Sequence, residues 1–178
     1  IKIPMSRPSI DYETQNSMFD VIKSGWLSQG KKTRKFENNL SEYLSSKVVV
    51  VNSGTSALTA ALSAHGIKPG DKVVVPSFTF IATSSAAKIL GANILVADVD
   101  AETLNISPDS IEKIVKEHND VKAVIIVDIA GQPVDLEPII ELSKRYNFIL
   151  IEDAAQAIGS EYKNKKIGSF KHTSCFSF

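Results

Sequence analysis

An apolar run, Ile149-Leu150-Ile151, closes on Glu152-Asp153, and an amide, Gln156, follows three residues later. In an open parallel α/β sheet, ligands sit in the crevice beyond the carboxyl ends of the strands. Asp153 therefore falls where chemistry is done, on a rigid element able to hold it in place. A carboxylate buried there needs a partner, because an unpaired charge in an apolar setting is strongly disfavoured. The protonated ring nitrogen of a bound cofactor would be a good one.

A second candidate is Asn52-Ser53-Gly54-Thr55-Ser56-Ala57, which joins an apolar run to an alanine-rich helical stretch. Free backbone N–H groups at a helix start, with the dipole behind them, suit a phosphate. Gly54 allows close approach, and Thr55 and Ser56 add hydroxyl donors. An ordinary helix cap has the same composition, so this motif alone leaves both readings open. Neither G-x-x-x-x-G-K-[ST] nor G-x-G-x-x-G occurs, which sets aside two nucleotide-binding motifs. In Pro76-Ser77-Phe78-Thr79-Phe80, an aromatic ring could face a flat ligand or fill the core. Ser77 and Thr83 have no evident base nearby. His65, His118 and His172 show no ligand spacing; surface or capping roles and no metal site are expected. Lys163, Lys165 and Lys166 read as a solvated turn.

The elements that would position these residues alternate in type. Met18, Val21 and Ile22 mark one helix, punctuated by Ser24-Gly25, and Phe36, Leu40, Tyr43 and Leu44 mark another. Val48–Val51 reads as a strand buried on both faces, ahead of a helix through about His65. Strands are expected at Val73–Val75, Ile94–Ala97, Val124–Val127 and Phe148–Ile151, with a further one within Thr173–Phe178. Helices are expected through about Leu90, from Ser107-Pro108 onward, and over Leu136–Tyr146. This alternation predicts an α/β fold of three layers, a mostly parallel sheet with helices on both faces.

Composition bounds the function. Twenty basic and twenty acidic residues balance, and 43% of the 178 residues are hydrophobic. No basic run points to nucleic acid or an anionic membrane surface. The one cysteine, Cys175, cannot pair internally, which fits a reducing compartment. No run is long enough to span a bilayer, and Ile1–Ser9 lacks a signal-peptide core. A cytoplasmic protein with no membrane partner is expected. Ile1 in place of Met, and the apolar run Cys175–Phe178 at the other end, lead to the expectation that more protein adjoins these residues.

Taken in order, the motifs resemble the DegT/DnrJ/EryC1/StrS family of pyridoxal-phosphate-dependent sugar aminotransferases of fold type I. The likeness runs through Ser24-Gly25-Trp26-Leu27 with Gly30 and Phe36-Glu37, Ser53–Leu58, Pro76–Phe80, Gly131–Asp135, Glu152–Ala157 and Phe176–Phe178. It implies an N-terminal helical segment over 1–45 and a truncated cofactor-binding large domain over 46–178, the small C-terminal domain being absent. By that resemblance Asp153 would pair with the pyridine nitrogen, keep it protonated, and be the catalytic residue of the set. Gln156 would bond the phenolic oxygen, Phe80 would stack on the ring, and Thr55, Ser56 and Ser177 would hold the phosphate. Where the family often has a histidine, this chain reads Asp128 before Ile129-Ala130-Gly131. The family's Schiff-base lysine would fall a few residues past Phe178, so these residues alone would be inactive. The activity implied is transfer of an amino group, from glutamate, to a keto group of a nucleotide-linked sugar, by a homodimer with pyridoxal 5'-phosphate. A sugar dehydratase with histidine in place of the lysine, or a non-catalytic regulator, are the alternatives.

Overall fold

In the computed structural model, residues 7–178 are described. The first six residues of the segment expected over 1–45, and most of the Ile1–Ser9 stretch, lie outside them. The chain opens with two helices, α1 (Tyr12–Ser24) and α2 (Lys31–Leu44). The Asp11 side chain accepts the Thr14 N–H at 2.7 Å to start α1, and Gly25 ends it in the left-handed region at φ 70°. Six further elements follow: α3 (Gly54–Ala64), β1 (Lys72–Pro76), α4 (Ala82–Ile89), β2 (Asn93–Ala97), α5 (Pro108–Glu117) and β3 (Val121–Val127). Then come α6 (Leu136–Tyr146), β4 (Ile149–Asp153), a small hairpin of β5 (Glu161–Tyr162) and β6 (Lys165–Lys166), and β7 (Thr173–Cys175). The hairpin turns through Lys163 and Asn164, both at positive φ, in the stretch expected to be a solvated turn.

Five strands form one parallel sheet in the order β2-β1-β3-β4-β7. Alternate side chains of these strands go to opposite faces, and both faces are covered. Val73, Val75, Ala123, Ile125 and Ile151 pack with Leu58, Leu62, Ala86 and Ala87 of α3 and α4. Val74, Val124, Ile126 and Leu150 pack with Ile111 and Val115 of α5 and Leu136 and Ile139 of α6. Burial on both sides is why the strands are unbroken runs of Val, Ile and Leu rather than alternating ones. The three-layer α/β architecture expected from the sequence is the one observed.

Order in the sheet also fixes where a ligand can sit. From β1 the chain steps outward to β2, then returns across to β3 on the other side of β1. The connections leaving the carboxyl ends of β1 and β3 therefore diverge, and a crevice opens between them.

Val48–Val51 does not form the buried strand expected of it. The segment is extended but unpaired, and Val49 is 79% exposed. Side chains of α2 take its amides instead: Val48 N–H donates to Ser41 Oγ at 3.1 Å and Val50 N–H to Glu37 Oε1 at 3.0 Å. A run of valines favours extension, but a strand also needs a neighbouring backbone, and among the described residues none lies alongside.

Candidate active site

A cleft of about 390 Å³ opens at the carboxyl ends of the strands, a size suited to a small molecule. Its lining comes from every element the sheet order brings there. Thr79 and Phe80 follow β1, Asp128 and Ile129 follow β3, Asp153 and Gln156 come from the end of β4, and Ser177 follows β7. The start of α3, Ser53-Gly54-Thr55, closes the remaining side.

Asp153 sits at the bottom, only 6% exposed. Thr83 Oγ1, from α4, donates to its Oδ2 at 2.7 Å, and Ala155 N–H donates to Oδ1 at 3.3 Å. Thr83 spends its one proton there, so the 2.8 Å contact between Thr79 and Thr83 hydroxyls has Thr79 donating. Burial raises the Asp153 pKa above the usual carboxylate range, and the two hydrogen bonds only partly offset it. Both donors are neutral, and among the described residues no lysine, arginine or histidine helps to hold the anion. The carboxylate is thus oriented, desolvated and without a counter-ion.

Gln156 is oriented by the turn after β3. Ala130 N–H donates to Gln156 Oε1 at 2.8 Å. An N–H can bond only the carbonyl end of the amide, so the Nε2 end is the one left to donate to a ligand. That turn is tight. Ala130 and Gly131 are both left-handed, at φ 54° and 81°, and a Cβ on Gly131 would lie 2.8 Å from the Gln156 carbonyl oxygen. Only glycine fits there.

At the opposite wall, Ser53 caps α3 by accepting the Ser56 N–H at 3.1 Å. The amides of Gly54 and Thr55 remain without intrahelical partners at the positive end of the helix. Gly54 lets the chain beyond β7 come close, since a Cβ there would lie 3.1 Å from Ser177 Cβ and 3.3 Å from Ser177 Oγ. Phe80 presents its ring on the cleft wall, 75% exposed.

Of the six residues marked in sequence, five line this cleft together: Thr55, Phe80, Asp153, Gln156 and Ser177. Ser56 stands one step back, its amide on Ser53 Oγ and its hydroxyl 3.1 Å from the same oxygen. Two expectations need correcting, and one residue was missed. Thr83 is not isolated from an acid; it bonds Asp153 from seventy residues away in sequence. His172 is neither a surface nor a capping residue. It stacks on Phe170 at 5.9 Å, with its Nε2 3.2 Å from Glu152 Oε2 in a buried setting. Asp128, not marked as a site residue, is 1% exposed on the cleft wall. An apolar strand closing on an acid marks Asp128 as clearly as it marks Asp153.

Cys175 lies buried beside these acids. Burial first, then the charges of Asp153 and Glu152, push its thiol up to about 12, so it stays a thiol.

A family model, the DegT/DnrJ/EryC1/StrS aminotransferase family, matches residues 8–178. The chain belongs to that family. GDP-perosamine synthase of Escherichia coli O157:H7 is 40% identical over 178 residues, covering 99% of this chain and 48% of that protein. Among solved structures, PseC of Helicobacter pylori, an aminotransferase involved in the biosynthesis of pseudoaminic acid, is 32% identical with a TM-score of 0.91. The match covers 98% of this chain and 47% of PseC. Spr1654 of Streptococcus pneumoniae, solved in its PLP form, is 31% identical with a TM-score of 0.92, covering 100% of this chain and 49% of that one. The chain thus spans about half the length of these relatives. Within the DegT/DnrJ/EryC1/StrS family, this member carries Asp128 ahead of the Ile129–Gly131 turn.

Proposed function

We propose that these residues form the cofactor-binding part of a pyridoxal-phosphate-dependent aminotransferase that acts on a nucleotide-linked keto sugar. One observation carries the reading: a buried, oriented carboxylate without a counter-ion at the base of a cleft of cofactor size. A pyridinium nitrogen would supply the missing cation. The remaining walls fit the same group. The Gln156 amide donor suits a phenolic oxygen, and the exposed Phe80 ring suits a flat heterocycle. The Gly54 and Thr55 amides, with the Thr55, Ser56 and Ser177 hydroxyls around them, suit a phosphate dianion.

When bound, the cofactor supplies an electron-accepting ring that stabilises a carbanion on the substrate. Asp153 would keep the ring nitrogen protonated, Thr83 and Ala155 aim Asp153 and favour its ionised form, and the Gln156 amide would donate to the phenolic oxygen. No lysine lines the cleft among the described residues, so the reading requires one from outside that lining, and the described residues alone would not turn over. The names of the relatives support a sugar substrate, and GDP-perosamine synthase supports a nucleotide-linked one. Glutamate as amino donor, a cytoplasmic setting and a homodimer complete the proposal. Among the described residues no helix is long and apolar enough to cross a membrane. Apolar side chains exposed on and beside α1, Phe19, Ile22, Trp26 and Leu27, offer the dimer a surface.

The test is an equilibrium titration of the intact protein with pyridoxal phosphate, followed by amine transfer from glutamate to nucleotide-linked keto sugars. Asp153→Asn keeps the shape and removes the charge. It should weaken cofactor binding about tenfold to a hundredfold, the worth of a charge-assisted hydrogen bond, and abolish transfer. Unchanged binding and turnover in Asp153→Asn would sink the proposal.

A further inference from the structure

On the face of the sheet opposite Asp153 lie two more buried acids, one of them the Asp128 of the cleft wall. Glu152 follows Leu150 onto the face packed by α5 and α6, and Asp128 follows Ile126 onto the same face. Ile126 pairs in register with Glu152, so Asp128, the residue just past β3, is a diagonal neighbour of Glu152 on β4. They are 1% and 0% exposed.

Each carboxyl has one oxygen satisfied and one without a partner among the described residues. Asp128 Oδ1 accepts the Val134 N–H at 3.0 Å, whereas Oδ2 is buried and unbonded. Glu152 Oε2 accepts Ser174 Oγ at 2.6 Å and faces His172 Nε2 at 3.2 Å, whereas Oε1 is buried and unbonded. Two orphaned carboxylate oxygens on one face cost heavily as a pair of anions. One proton shared by the pair removes one of the two charges and gives an orphaned oxygen a hydrogen to donate.

We propose that Asp128 and Glu152 share one proton, which sits on Asp128, and that this pair positions Gln156. The proton belongs on Asp128, whose buried carboxyl has a single backbone amide as its donor. Burial, then the charge of Glu152, and more weakly that of Asp153, push the Asp128 pKa up to about 8. These two acids are the charged groups that act on it.

The link to the cleft runs through the turn. Asp128 is its first residue, its backbone N–H bonded to the Asp153 carbonyl at 3.2 Å and its carboxyl to the far side at Val134. Between them Ala130, a non-glycine residue in left-handed conformation, points its N–H at Gln156. Such a conformation holds only while its surroundings fix it. Losing the shared proton places two anions side by side beneath the turn, and Asp128 leaves its seat.

The role of Gln156 rests on the cofactor reading above, but the shared proton does not, and the two separate experimentally. In the intact protein without added cofactor, the infrared carbonyl stretch of a protonated carboxyl should be present at neutral pH. It should be absent in Asp128→Asn and vanish in the native protein as pH passes about 8. Because the folded pKa lies above the unfolded one, the folded state binds the extra proton between 3.8 and about 8, and stability falls as pH rises through that window. Asp128→Asn, whose amide can donate to Glu152, should flatten that fall. Asp128→Ala should weaken pyridoxal phosphate binding about fivefold, the worth of one neutral hydrogen bond, and Asp128→Asn should restore it. A neutral-pH spectrum without a protonated carboxyl, or a band that survives in Asp128→Asn, overturns the shared proton. A band present as expected with equal affinity in Asp128→Ala overturns the positioning role alone.

Discussion

Thr83 shows how much a single neutral hydroxyl can decide. Its hydrogen bond at 2.7 Å is the stronger of two that offset burial at Asp153. Thr83→Val preserves volume and removes the donor, so the Asp153 pKa should climb further. Only the ionised carboxylate can pair with a pyridinium, so a higher pKa moves the acid limb of cofactor binding to higher pH. The expected outcome is a pyridoxal phosphate affinity that is lost at a higher pH in Thr83→Val than in the native protein. Coincident pH profiles would contradict it. At this scale the sequence was legible wherever a residue acts from its own element. Asp153, Gln156 and Phe80 stand at strand ends or just beyond, where topology alone places them in the crevice. Thr83 and His172 were not legible, because their partners lie seventy and twenty residues away and are joined only by packing.

The elements were read well where burial dictates composition. β1, β3 and β4 are runs rich in β-branched residues covered on both faces, and α6 falls where its apolar spacing predicts, over Leu136–Tyr146. Val48–Val51 marks the limit, since extension is written in the side chains but pairing depends on a neighbour. The start of α3 makes the element scale testable. Gly54→Ala adds a Cβ 3.1 Å from Ser177 Cβ, so the chain beyond β7 must withdraw by a few tenths of an ångström from the helix start. Affinity for pyridoxal phosphate should fall about fivefold, the worth of one hydrogen bond to the phosphate. Affinity for pyridoxal, which lacks the phosphate, should not change. Equal losses for both ligands would place the damage elsewhere.

Over the whole molecule, the described residues bring together from four strand ends and one helix start a cleft that no single segment contains. The sheet order β2-β1-β3-β4-β7 does this by reversing at β1, and the cleft follows from that reversal. Walls for the proposed ring, phenolic oxygen and phosphate are thereby supplied by a chain that spans roughly half the length of its relatives. The claim on which these roles depend is electrostatic: the Asp153 carboxylate holds a cationic ring nitrogen. The nitrogen NMR shift of ring-labelled pyridoxal phosphate bound to the intact protein reports it directly. The account predicts a pyridinium shift in the native protein that moves to the neutral pyridine position in Asp153→Asn; a neutral pyridine shift in the native protein would contradict it.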